Sequence, residues 1–173
     1  MDRHEQTITF AGERASRIFH FAEEFDRSLN YTRIIIAGIA GTIARTVVAV
    51  FGAPMMGLAP MNPATMLAEA MGGMVALGWI GHFMIGILFA FGYVLASPYL
   101  PGPGAARGAI YAIAPWLLAQ IAGMPMMGMP IFSGSVMVAM ASLIAHVIYG
   151  LVVGAIIGAS PSVPALRPAR PAL

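Results

Sequence analysis

Residues 135–158 read SVMVAMASLIAHVIYGLVVGAIIG, without one Asp, Glu, Lys or Arg. A helix rising 1.5 Å per residue needs about 20 apolar residues to cross the hydrocarbon of a bilayer, and this stretch supplies them. Open backbone is not tolerated in lipid, so a transmembrane helix is predicted rather than a strand or loop. Outward from it lie three more apolar stretches, at 33–53, 73–96 and 107–124. The last of these is the shortest and carries Pro115, which predicts a kink rather than a break. Short links make successive helices antiparallel neighbours, so the expected fold is all-α, an up-down bundle of four transmembrane helices over residues 31–159. The composition agrees: 59% of the residues are hydrophobic and 9% charged, with mean hydropathy +0.83, against about 25% charged residues in soluble domains. A water-soluble protein and a disordered chain are both excluded.

The few charges are concentrated. Six of the seven acids and five of the nine arginines precede residue 34, and there is no lysine. Residues 1–30 therefore form an aqueous segment in which Ala15, Ile18, Phe19, Ala22, Phe25 and Leu29 recur at helical spacing, with Glu13/Arg17 and Glu23/Arg27 as (i, i+4) pairs. An amphipathic helix is expected there, lying on lipid or packed on a partner subunit through Phe19 and Phe25. A signal peptide is not expected, because no short apolar core with a small-residue cleavage site follows a basic start. Residues 160–173 carry a proline every few positions and read as an extended or disordered tail. Arg107 lies between the second and third helices and Arg167 and Arg170 in the tail, whereas the links at 54–72 and 125–134 contain no arginine. The positive-inside rule then predicts a bacterial inner-membrane protein with both termini cytoplasmic.

The sequence also repeats itself. Pro54-Met55-Met56-Gly57 closes the first helix and Pro125-Met126-Met127-Gly128 the third. Gly78-Trp79-Ile80-Gly81-His82-Phe83-Met84-Ile85-Gly86 in the second helix resembles Ser142-Leu143-Ile144-Ala145-His146-Val147-Ile148-Tyr149-Gly150 in the fourth. Two matches in matching order predict a duplicated two-helix hairpin, the copies running in the same direction. Small residues four before and four after each histidine share its helix face, so each imidazole sits in a groove. Counted from the outer helix ends, His82, His146 and Arg45 fall in one layer, about 14 to 17 Å deep.

Ionisable groups at that depth cost at least about 2.5 kcal/mol for Arg and face a bundle interior or a partner. Glu69 is the only acid after residue 26, in the outer link, where Asn62-Pro63 is expected to start a short helix ending at Met71. Arg45 could reach up to Glu69; its alternatives are an acid on a partner subunit, backbone carbonyls or a porphyrin propionate. For the histidines three readings stand: hydrogen bonds across the bundle to Ser142, Gln120, Thr42 or Tyr149; axial ligation of a haem b by His82 and His146; or a proton or metal path. The absence of cysteine removes thiolate metal sites and cysteine nucleophiles. No hydrolase, P-loop or dinucleotide pattern occurs, so an enzyme is not expected, nor is a nucleic-acid partner.

Seven methionines, Met55, Met56, Met61, Met124, Met126, Met127 and Met129, lie at or beyond the outer ends of helices 1 and 3. Thioethers select Cu(I), which makes Met55, Met56, Met126 and Met127 copper candidates; the bland reading is adaptable apolar filler at irregular helix ends.

The Asn-Pro-x-x-Met-Leu segment (Asn62 to Leu67), Gly-Trp-x-x-His (Gly78 to His82), Arg107-Gly108 and His-x-x-Tyr-Gly (His146 to Gly150) resemble the small four-helix bacterial and archaeal membrane proteins grouped as a domain-of-unknown-function family. The resemblance covers about residues 33–158 and implies the fold and the choice of His82 and His146, but no mechanism. Small size, the lack of a catalytic set and terminal segments suited to docking set the functional expectation. It is an accessory or assembly subunit of a larger membrane complex, a respiratory or other electron-transfer one first, with other membrane subunits and lipid as partners. The alternatives are a haem b electron-transfer protein and a small transporter or Cu(I) handler.

Overall fold

The computed structural model describes residues 16, 19, 20 and 30–158. Four helices are long and apolar enough to cross a membrane: α1 (Tyr31–Met55), α3 (Val75–Tyr99), α4 (Gly104–Met126) and α5 (Val136–Ile157). A fifth, short helix, α2 (Pro63–Ala70), lies in the first link. No strand occurs among the described residues, and the protein is a multi-pass all-α membrane bundle. Phe19 is helical and exposed, whereas Phe25, the two charge pairs and residues 160–173 lie outside the described residues.

Local chemistry sets the helix ends. The Asn30 side chain accepts from Arg33 N at 3.1 Å. Asn62 accepts from Ala64 N at 3.0 Å, with Pro63 at the first helical position, where its missing N–H is not needed. Ser135 caps α5. Pro115 has no N–H to give the Tyr111 carbonyl one turn back, and α4 breaks into a turn at Ala112, the kink that the sequence predicts.

The duplication is visible in the backbone. Both α1 and α4 widen into a π-helical turn, at Val48–Gly52 and Ala119–Gly123, just before Pro54 and Pro125. Each then ends at Gly57 or Gly128, with φ of +77° and +74°. The wider turn accommodates a proline ring that would otherwise strike the carbonyl four residues back.

A two-fold relation between hairpins α1/α3 and α4/α5 would make the α1–α5 and α3–α4 interfaces equivalent. They are not. Helices α1 and α5 pack along each other, α3 lies on α1, α4 on α5, and α2 covers α3. Hydrogen bonds tie α3 to α4 only near the end that carries Arg33 and Arg107, here the arginine end. There Tyr111 donates to Phe89 O at 2.9 Å, and Tyr93 contacts Gly104 O and Gly158 O at 3.0 Å each. The opposite, methionine end holds α2, which the second hairpin lacks. The apolar core of Ile34, Ala37, Ala90, Tyr93, Val94, Tyr149, Val153 and Ile157 runs from mid-bundle to the arginine end. Helices α4 and α5 touch backbone to backbone at Gly108–Gly150 and Gly104–Gly154, where any Cβ would collide with main-chain atoms.

Candidate functional site

Polar side chains gather in one layer of the bundle. His82 on α3 and His146 on α5 are each 3% exposed, and Arg45 on α1 lies within electrostatic range of both imidazoles and of Tyr149. The structure thus brings together the three ionisable residues that the sequence placed at one level.

Most of the layer is internally satisfied. Thr46 Oγ1 donates to Thr42 O at 2.8 Å, one helical turn back. With that proton committed, the 3.0 Å contact between Thr46 Oγ1 and His82 Nε2 has the imidazole N–H as donor. His146 Nδ1 lies 2.7 Å from Ser142 O, a carbonyl that only accepts, so Nδ1 carries the proton. A chain leads outward from Ser142: Gln120 Nε2 donates to Ser142 Oγ at 3.3 Å, and Ser133 Oγ donates to Gln120 Oε1 at 3.1 Å. Tyr149 donates to Gly86 O at 2.6 Å, and Trp116 Nε1 to Ala139 O at 3.1 Å. These bonds run α1 to α3, α5 to α3 and α4 to α5, which makes the layer a set of cross-ties.

A haem b between the two histidines does not fit this arrangement. The small residues that flank them are occupied by helix packing: a Cβ at Gly78 would meet Ala64 O, at Gly86 Thr42 Oγ1, and at Gly150 Gly108 O. Ser142 is spent on Gln120 and His146. The grooves that would admit a porphyrin face are filled by neighbouring backbone and by the Thr42 side chain, and His82 Nε2 is already engaged by Thr46.

Arg45 is the exception. Its Nε is buried without a hydrogen-bond partner, and the side chain makes no ion pair among the described residues. The expected reach to Glu69 does not occur. Glu69 is exposed on α2 and faces a cavity of about 230 Å³, lined by Met66, Ala70, Met126, Met127 and Met129. The structure thus joins Met126 and Met127 to Met129, another of the seven outer-end methionines, and to Met66, which sequence position alone did not single out. Met55 and Met56 do not line that cavity, and Met55 is 89% exposed. No three His, Cys, Asp or Glu side chains converge as a metal site among the described residues.

Thr46 and Ser133 were missed by sequence reasoning. Thr46 lies one residue after Arg45, on the side of α1 facing α3, a placement that only the helix crossing sets. Ser133 acts from a left-handed turn in which Phe132 and Ser133 have φ of 55° and 57°; neither residue type signals that conformation.

No curated protein and no solved structure matches the chain. The profile of DUF6789, a family of unknown function, matches residues 30–167, which takes in α1 to α5 and both histidines. The chain belongs to this family.

Proposed function

We propose that the protein is a non-catalytic accessory or assembly subunit of a larger membrane complex, with Arg45 as its docking charge. The observation that carries this reading is the guanidinium in the membrane layer whose Nε has no acceptor and whose charge has no acid among the described residues. Burial without a partner costs at least about 2.5 kcal/mol on insertion scales, and a carboxylate from another subunit would offset that cost. Within the chain, Glu69 faces elsewhere, and the six other acids precede Asn30, which is about 22 Å of helix from Arg45. His82, Gln120 and Tyr149 are engaged in cross-ties, and His146 is bonded within α5 to Ser142, which supports a structural rather than a catalytic layer. A respiratory or other electron-transfer complex is the first setting to test. By the arginine distribution the arginine end faces the cytoplasm of a bacterial inner membrane.

Native electrophoresis of gently solubilised membranes tests the proposal. The expected result is a species much larger than the chain, with other subunits in it; migration only as a monomer or homodimer would overturn it.

A further inference from the structure

We infer that Met66, Met126, Met127 and Met129 form a Cu(I)-binding site, with Glu69 as its counter-charge. This rests on the cavity at the methionine end and not on the subunit reading above.

Four methionines line one cavity of about 230 Å³, contributed by two elements far apart in sequence, α2 and the turn that ends α4. Neutral, polarisable thioether sulfur favours Cu(I) over the harder divalent ions. It also has no proton to lose, so the site needs no titration to become competent. Methionine has three side-chain torsions, which let sulfurs converge on an ion from irregular backbone. Filler methionines would close a void, whereas these line an open one, and Met126 is 84% exposed. The single acid of the chain beyond residue 26 stands at the same place. Four thioethers leave the metal its full positive charge, and the exposed Glu69 carboxylate, which makes no ion pair among the described residues, is placed to balance it. Binding involves no electron transfer; the ion enters and leaves as Cu(I).

The symmetry of the chain supplies an internal control. Met55 and Met56 occupy the repeat-related positions to Met126 and Met127 but do not line this cavity. The full chain in detergent or nanodiscs is titrated anaerobically with Cu(I) from a chromogenic chelator, and with Ag(I) as a redox-inert probe. One ion per chain is expected, with sulfur scatterers in the X-ray absorption spectrum. Met66→Leu and Met126→Leu each weaken binding by at least about tenfold, the scale known for supporting residues of metal sites, and Glu69→Gln weakens it less. The pair Met55→Leu and Met56→Leu leaves it unchanged. Elution profile and thermal unfolding confirm that each variant is folded. Absence of binding to the wild type, equal loss in the Met55/Met56 pair, or nitrogen ligation by imidazole would each overturn the assignment.

Discussion

At the residue scale, a membrane bundle must satisfy its polar atoms internally, and apart from Arg45 Nε the polar layer of this one does so with bonds inside its helices and between them. His146 gives its Nδ1 proton to Ser142 O, and His82 its Nε2 proton to Thr46, which leaves one lone-pair nitrogen on each ring. Thr46→Val removes the acceptor for His82 without changing volume. The expected loss of stability is about 0.6 to 1.7 kcal/mol, from the average to the maximum measured for hydrogen bonds between membrane helices. Unfolding in mixed micelles followed by tryptophan fluorescence checks it, and a neutral effect would remove Thr46 from the cross-ties. Arg45, His82 and His146 were legible as a layer because depth follows from counting residues along a helix. Their partners were only partly legible: Ser142, one turn from His146, is a local relation, whereas Thr46 reaches His82 across a helix crossing. The cost of unpaired burial, which directs attention to Arg45, is a sequence-level signal; that Glu69 does not meet it is a tertiary fact.

At the element scale, the duplicated proline-methionine ends produce the same backbone twice, a π-helical turn followed by a left-handed glycine. The repeat was legible because it is written in residue types with fixed geometric demands, Pro and Gly. The Phe132–Ser133 turn was not, since its left-handed backbone is held by a long-range bond from Ser133 to Gln120 and by the Phe132 ring 5.9 Å from Trp116. Backbone contact between α4 and α5 depends on glycine at both sides of each crossing. Gly108→Leu forces those helices apart and is expected to destabilise the bundle by more than about 3 kcal/mol, beyond the usual range for overpacking because the obstacle is backbone. Loss of less than about 1 kcal/mol in the same micelle assay would mean that the crossing is looser than described.

At the scale of the whole molecule, the departure from two-fold symmetry matters more than the symmetry. Helix α2 exists in one hairpin only, and the methionine cavity lies between it and the end of α4. This is why the sequence could place methionines at helix ends yet could not choose which of them meet: Met66 joins through the packing of α2 on α3, a contact without local signature. Orientation has a clean test, because the chain lacks cysteine. Ala59→Cys and Pro101→Cys put thiols at exposed positions in the links at opposite ends. In intact cells an impermeant maleimide is expected to label the first and spare the second; the reverse pattern would invert the assigned topology.

The proposed docking of another subunit at Arg45 has a direct test. Because its guanidinium makes no hydrogen bond or ion pair within the described residues, Arg45→Gln should leave the fold intact or firmer while removing the dock. The decisive measurement is the fraction of the chain held in the large species when native membranes carrying wild type, Arg45→Gln and Thr46→Val are solubilised gently and resolved by native electrophoresis. Wild type and Thr46→Val are expected to run in the large species and Arg45→Gln mostly free. A wild-type chain that runs alone, or an Arg45→Gln chain that stays assembled like the wild type, would contradict docking at Arg45.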